Sequence, residues 1–201
     1  MRSILLSLAL LVVALAYMWP GNVPKYPPGV LVTDEPDQST IGNGTPWQVK
    51  GYTVKPLADY HIRARVLMTE RYWLGRESDL SPLDLSVGWR RMSDQKILDQ
   101  ISFTREHRAF AYRPKERDWP MPAGEINEHS ANMHLIPATA EIRDALQSIH
   151  EGDIIELRGY LVEVTAPDGW HWRSSLTRTD TGPGACELMW VAEQNSTPFH
   201  P

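Results

Sequence analysis

Three groups of residues in this chain are of types that do chemistry. The first is Cys186, the only cysteine, which with a histidine such as His134 offers a thiol nucleophile. Glu187 is its neighbour, and a carboxylate beside a thiol raises the thiol's pKa, the wrong direction for attack. Cys186 also shares the apolar parity of Leu188, Trp190 and Ala192, which makes it an expected core residue. The second group is His129 and His134, with Glu128 and Asn132 nearby. Two imidazoles and a carboxylate suit zinc, but a spacing of five puts the histidines on neither one helix turn nor one strand face. No residue is marked as a third ligand, so no metal and no cofactor is expected. The third group is His171, Arg173, Arg178, Asp180 and Glu187. Paired, these lock a loop; unpaired, the planar guanidinium groups present a recognition surface for a carboxylate- or phosphate-bearing partner. Ser174 and Ser175 stand nearby without the Gly-x-Ser-x-Gly elbow of a hydrolase.

The segment Gly184-Ala185-Cys186 resembles, distantly, the nucleophile segment of cell-wall L,D-transpeptidases. That family carries His-Gly-Cys followed by Arg, whereas here the cysteine follows Gly-Ala and precedes Glu187. Over nearly the whole soluble part the chain resembles a family of small membrane-anchored bacterial proteins of uncharacterised function. The stretches concerned run from Leu80 to Trp89, from His129 to Ala138 and from Trp170 to Glu187. That resemblance implies a topology and supplies no catalytic residue.

The elements that must position these groups follow from periodicity. Tyr60, Ile62, Ala64 and Val66 alternate with His61, Arg63 and Arg65, as in a half-buried strand. Ser93 is placed to cap a short helix carrying Ile97, Leu98 and Ile101. Arg108 to Tyr112 reads as a brief strand, and 114–122 as loop. Thr139 caps a second helix, Ala140 to Ile149, with Ile142, Leu146 and Ile149 as its buried stripe. After the turn at Gly152-Asp153, Ile155 and Leu157 point inward. Beyond Gly159 the inward residues are Val162 and Val164, so the apolar parity flips there and predicts a bulge or sharp bend. Pro167-Asp168-Gly169 is a hairpin turn; Trp170, Trp172, Ser174 and Leu176 share one face after it. These features predict an α+β domain: a small, strongly bent β-barrel or sheet, OB-like or SH3-like, with two short helices.

One N-terminal transmembrane helix is expected ahead of that domain. Ile4 to Met18 is uncharged and apolar on every face, which a core helix is not. Its fifteen residues span roughly 22 Å, short of the roughly 30 Å hydrocarbon core, unless Trp19 at the interface and local thinning complete the crossing. Ala14-Leu15-Ala16 keeps a cleaved signal peptide open as the alternative. Residues 1–19 are thus an anchor or signal peptide, 20–48 a Pro-rich linker, 49–195 a single soluble domain and 196–201 a tail. Arg2 on the cytoplasmic side sets a single pass through a bacterial inner membrane, with the domain in the periplasm or otherwise outside the cytoplasm.

Composition narrows the function classes. Arg2 is the only charged residue before Lys25, so the rest holds 19 of the 20 Lys and Arg against all 25 Asp and Glu, a net −6. Such a domain is a poor partner for nucleic acid, which needs a basic stripe. A lone cysteine excludes an intramolecular disulfide. Asn43-Gly44-Thr45 and Asn195-Ser196-Thr197 match a glycosylation pattern that chance supplies readily. The expected role is a membrane-anchored binding or assembly module of the cell envelope, its partner an envelope protein or cell-wall component. The alternative is a cell-wall-modifying enzyme using Cys186, or a metal at His129 and His134.

Overall fold

The long strand β3 (Tyr52–Arg71) organises the molecule. Tyr60, Ile62, Ala64 and Val66 are buried as their alternation requires, and they line the main core with Leu85, Val87, Met133, Leu135, Leu157 and Val191. The computed structural model describes residues 23, 25–180, 182 and 184–197. The expected anchor, residues 1–19, lies outside them. No helix among the described residues is long and apolar enough to cross a membrane.

Strand β3 pairs antiparallel with β4 (Leu83–Gly88) through its second half and with β8 (Ile154–Thr165) through its first. β4 pairs antiparallel with β7 (Ser130–Pro137), and β7 pairs parallel with β10 (Glu187–Thr197). β10 then pairs antiparallel with β8, which closes a ring of ladders, β3-β4-β7-β10-β8-β3. The sheet is strongly curled around one core. Irregularities fall where such curvature needs them: between Pro56 and Ala58, where proline lacks a ladder donor, between Val66 and Met68, and between Val191 and Glu193. β9 (His171–Arg173) adds an edge to β8, and β5 (Ile101–Glu106) with β6 (Ala109–Pro114) forms a separate hairpin.

The α+β class and the bent sheet agree with the expectation. The described residues carry four short α-helices rather than two. Two had cap signals: α2 (Gln95–Leu98) and α4 (Ala140–Gln147), the latter capped by Thr139 Oγ1 on the Ile142 amide at 3.3 Å. The cap of α2 is Asp94, whose carboxylate accepts from Lys96 N at 2.9 Å, not Ser93. Ser93 ends a 3-10 turn, Arg90–Ser93, and its hydroxyl accepts from the amides of Leu31 and Val32. The other two, α1 (Arg76–Leu80) and α3 (Ala123–Glu128), start at Gly75 and Pro122 without a side-chain cap, which removes their start signal.

Two expected boundaries change. The Pro-rich stretch 20–48 is in good part built into the domain. Val32 is buried in the main core, β1 (Asp37–Thr40) and β2 (Trp47–Val49) pair with β3, and Arg90 N donates to Val32 O at 2.7 Å. Prolines there set extended backbone, which an edge strand uses as readily as a spacer. Ser196 and Thr197, assigned to a tail, pair with Ile155 and Ile154 in β10.

The parity flip at Gly159 also has a different cause. Leu161 joins Ile155 and Leu157 in the main core, so the inward parity of β8 continues through Gly159. Val162 and Val164 belong to a second apolar cluster on the opposite face, with Val54, Ile136, Leu188, Trp170 and Trp172. The bulge lies on β10 opposite Gly159, not on β8.

Candidate functional site

The β5–β6 hairpin leans against one end of the ring of strands, and its turn residues Glu106–Ala109 overhang the start of β7. Asp84 of β4 fixes it there. Arg108 donates from Nε to Asp84 Oδ2 at 3.0 Å and from Nη2 to Oδ1 at 2.6 Å, and the Ser81 hydroxyl donates to the same carboxylate at 3.2 Å. His134, in register with Asp84 across the β4–β7 ladder, brings Nδ1 to 3.0 Å from Asp84 Oδ2. Trp172 packs on the imidazole at 4.9 Å between ring centroids, and the Arg108 guanidinium lies over Tyr72 at 4.2 Å. Asn132 Nδ2 donates to the Arg108 carbonyl at 2.9 Å and Tyr72 Oη to the His107 carbonyl at 3.2 Å. One buried carboxylate therefore holds a guanidinium and a hydroxyl, with an imidazole beside it, against the wall of the curled sheet.

Opposite the hairpin, the loop between β9 and β10 is closed at its base: Ser175 N donates to Cys186 O, and Leu188 N to Ser174 Oγ, both at 3.0 Å. Arg178 donates to Glu35 Oε2 at 3.1 Å and to the Pro36 carbonyl, tying the loop to the segment before β1. Asp180 accepts from Ser175 Oγ at 2.6 Å. Between loop and hairpin runs a groove of about 670 Å³, walled by Phe110, Tyr112, Asn132 and Cys186, with Asp180 and Glu187 among its polar groups.

The predicted site residues divide between two places. Arg178, Asp180, Glu187, Cys186 and His134 line the groove. His171 and Arg173 do not: both lie on the β8–β9 face and meet the carboxylate of Glu163, His171 Nε2 at 2.7 Å and Arg173 Nη1 at 3.1 Å from the same oxygen. These contacts, that of His171 first, hold the Glu163 carboxyl below its usual range despite partial burial. His129 caps the end of α3, with Nδ1 3.8 Å from Glu125 Oε1. Five residues of extended chain separate it from His134, roughly 16 Å. Among the described residues no group of three or more His, Cys, Asp or Glu is arranged to hold a metal.

Cys186 is half-buried on the groove wall just before β10, not in the core. Parity places a residue within a strand; at a strand's mouth the chain no longer has a layer above it. Its sulfur accepts from Asn132 Nδ2 at 3.2 Å. Burial pushes the thiol up, and Glu187, Asp84 and Asp180 add to that against the opposing pull of the Asn132 amide. The protonated thiol that results is a weak nucleophile. Glu187 is 6 % exposed, and its Oε2 makes no hydrogen bond among the described residues. Burial raises its carboxyl to about 8.

Sequence reasoning missed Asp84 and Arg108. Asp84 had a signal, a carboxylate inside the apolar run Leu83-Asp84-Leu85-Ser86-Val87, every residue of which is buried. A charge in such a run needs a partner, and Arg108 is that partner. No family model, no curated protein and no solved structure matches this chain.

Proposed function

We propose that this chain is a binding module of the bacterial cell envelope, held at the inner membrane by residues 1–19, and that the groove between the hairpin and the β9–β10 loop receives its ligand. The ring order, with one parallel pair and helix α4 crossing from β7 to β8, is read as OB-like closure, and barrels of that type bind ligands with a strand face and the loops at their rim. The observation that carries a binding role over a catalytic one is the state of the reactive groups. The thiol is held protonated by burial, and the Asp84 carboxylate is occupied by Arg108 and Ser81, with His134 alongside. These are the contacts of a rigid wall. The groove itself is concave and lined by both apolar and polar groups, as binding sites are.

A photoreactive residue placed at Phe110 in intact cells should capture an envelope protein or wall fragment, and the same residue at Val30, exposed and outside the groove lining, should not. Equal capture from both positions would remove the groove from consideration. The presence of Cys186 and His134 on one groove favours a thiol enzyme as the second reading. Slow modification of native Cys186 by a neutral-pH thiol reagent, and an unchanged cellular phenotype for Cys186→Ala, are expected of a binding module; fast modification with loss of phenotype would establish the enzyme.

A further inference from the structure

Glu187 occupies the first position of β10, where the inward parity of Met189 and Val191 carries it to the mouth of the barrel. It is buried, it lines the groove, and Oε2 has no hydrogen-bond partner among the described residues. The groups that face it come from three places: the Tyr60 hydroxyl from β3, Arg178 and Asp180 from the β9–β10 loop, and the Cys186 thiol beside it on the groove wall. Tyr60 Oη likewise makes no hydrogen bond among the described residues. The one cation in that set, Arg178, is held by Glu35 and the Pro36 carbonyl. Asp180 takes its hydrogen bond from a neutral hydroxyl. Two carboxylates within electrostatic reach therefore share a groove with no cation among the described residues committed to them, and one has an unused oxygen. A buried carboxylate without a partner is costly, and this one belongs to a residue that lines the groove.

We infer that the groove seats a primary ammonium group, its N–H donors directed at the carboxylates of Glu187 and Asp180, with the attached aliphatic chain along Phe110 and Tyr112. The inference rests on the binding reading above and names the ligand class at the same site. An ammonium suits the position because it is compact and has three donors, whereas a guanidinium needs a wider, planar fork. Glu187 is largely protonated at neutral pH, so seating the cation expels a proton from it.

The test uses the full chain in a non-ionic detergent and two probes, N-acetyl-lysine amide and N-acetyl-norleucine amide, which differ at the chain end by the ammonium. At mildly alkaline pH the lysine probe should bind about ten-fold or more tighter, a difference typical of one charge-assisted contact. Glu187→Gln should abolish that preference while leaving the norleucine probe unaffected, and Asp180→Asn should reduce it. At neutral pH, titration in two buffers of different ionisation heat should show a proton released with the lysine probe alone; this reading needs no variant. Equal binding of both probes, a preference that survives Glu187→Gln, or no proton release would overturn the ammonium seat and leave the groove as a binding site. Binding of neither probe, together with no capture from Phe110 in cells, would remove the groove as well.

Discussion

Gly159 of β8 and Trp190 of β10 approach so closely that a Cβ on Gly159 would lie 2.0 Å from the Trp190 carbonyl oxygen. Backbone atoms of a paired strand have little freedom to retreat. Gly159 faces Val191 across the ladder, and the register shifts immediately afterwards, before Glu193. The glycine is therefore the close-approach point on which the β8–β10 bulge rests.

Gly159→Ala should already lower stability by about 2 kcal/mol or more, because the added methyl meets main chain rather than a flexible side chain. Gly159→Val should cost more. Thermal unfolding of the two variants checks this; a melting temperature unchanged in both would show that the strands separate freely there.

The same position shows what the sequence makes legible and what it hides. A glycine between two apolar patterns marked the site of a distortion, but the pattern itself came from two cores. Ile155, Leu157 and Leu161 serve one, Val162 and Val164 the other. Periodicity reports which residues are buried and not against what, so a strand covered on both faces imitates a strand that turns over. The groove was half legible for a similar reason. Local spacing identified Arg178, Asp180 and Glu187, which lie within ten residues. Asp84, Arg108 and His134 come from β4, the β5–β6 turn and β7, and only tertiary pairing brings them together. The charge cluster 171–187 looked like one site because its members are close in sequence. β9 faces Glu163, which takes His171 and Arg173 to a different surface.

Asp84→Ala should be among the most destabilising single changes, by about 3–5 kcal/mol, because Arg108 is then left partly buried without its carboxylate and the hairpin loses its main tie. The double variant Asp84→Ala/Arg108→Ala should be little worse than Asp84→Ala alone. Denaturant unfolding of the three variants measures the coupling, and simple additivity would mean that the hairpin is held by apolar contact alone.

A loop locked by its own charges would hold Arg178 within the segment 171–187; Arg178 pairs instead with Glu35, outside it. The coupling should follow the structure. Arg178→Ala and Glu35→Ala should be non-additive by about 0.5–1 kcal/mol, a modest figure because both side chains are partly exposed. Arg178→Ala and Asp180→Ala should add. A double-mutant cycle with the reverse pattern would place the loop's anchor within the loop.

Glu187 makes a pH signature opposite in sign to that of several paired acids in the chain. Burial raises its carboxyl from the ordinary 4.5 to about 8, so the folded chain keeps a proton between those values that the unfolded chain has released. Stability then falls as pH rises through that window and levels off above it. Glu156, Glu163, Asp168 and Asp99 act in the opposite sense: their hydrogen-bonded partners hold them low, and what they contribute is lost only as the pH falls through the acid range. The comparison that separates the two effects is wild type against Glu187→Gln, which keeps the shape of the side chain and cannot ionise. The two melting temperatures should lie close together near pH 4.5 and diverge steadily up to about pH 8, with the glutamine variant the more stable at the alkaline end. Saturation with the lysine probe should narrow that gap at alkaline pH by stabilising the ionised wild type more than the variant. A gap that stays constant from acid to alkaline pH would mean that Glu187 ionises as an ordinary exposed carboxylate, and the reading of its burial would have to be given up.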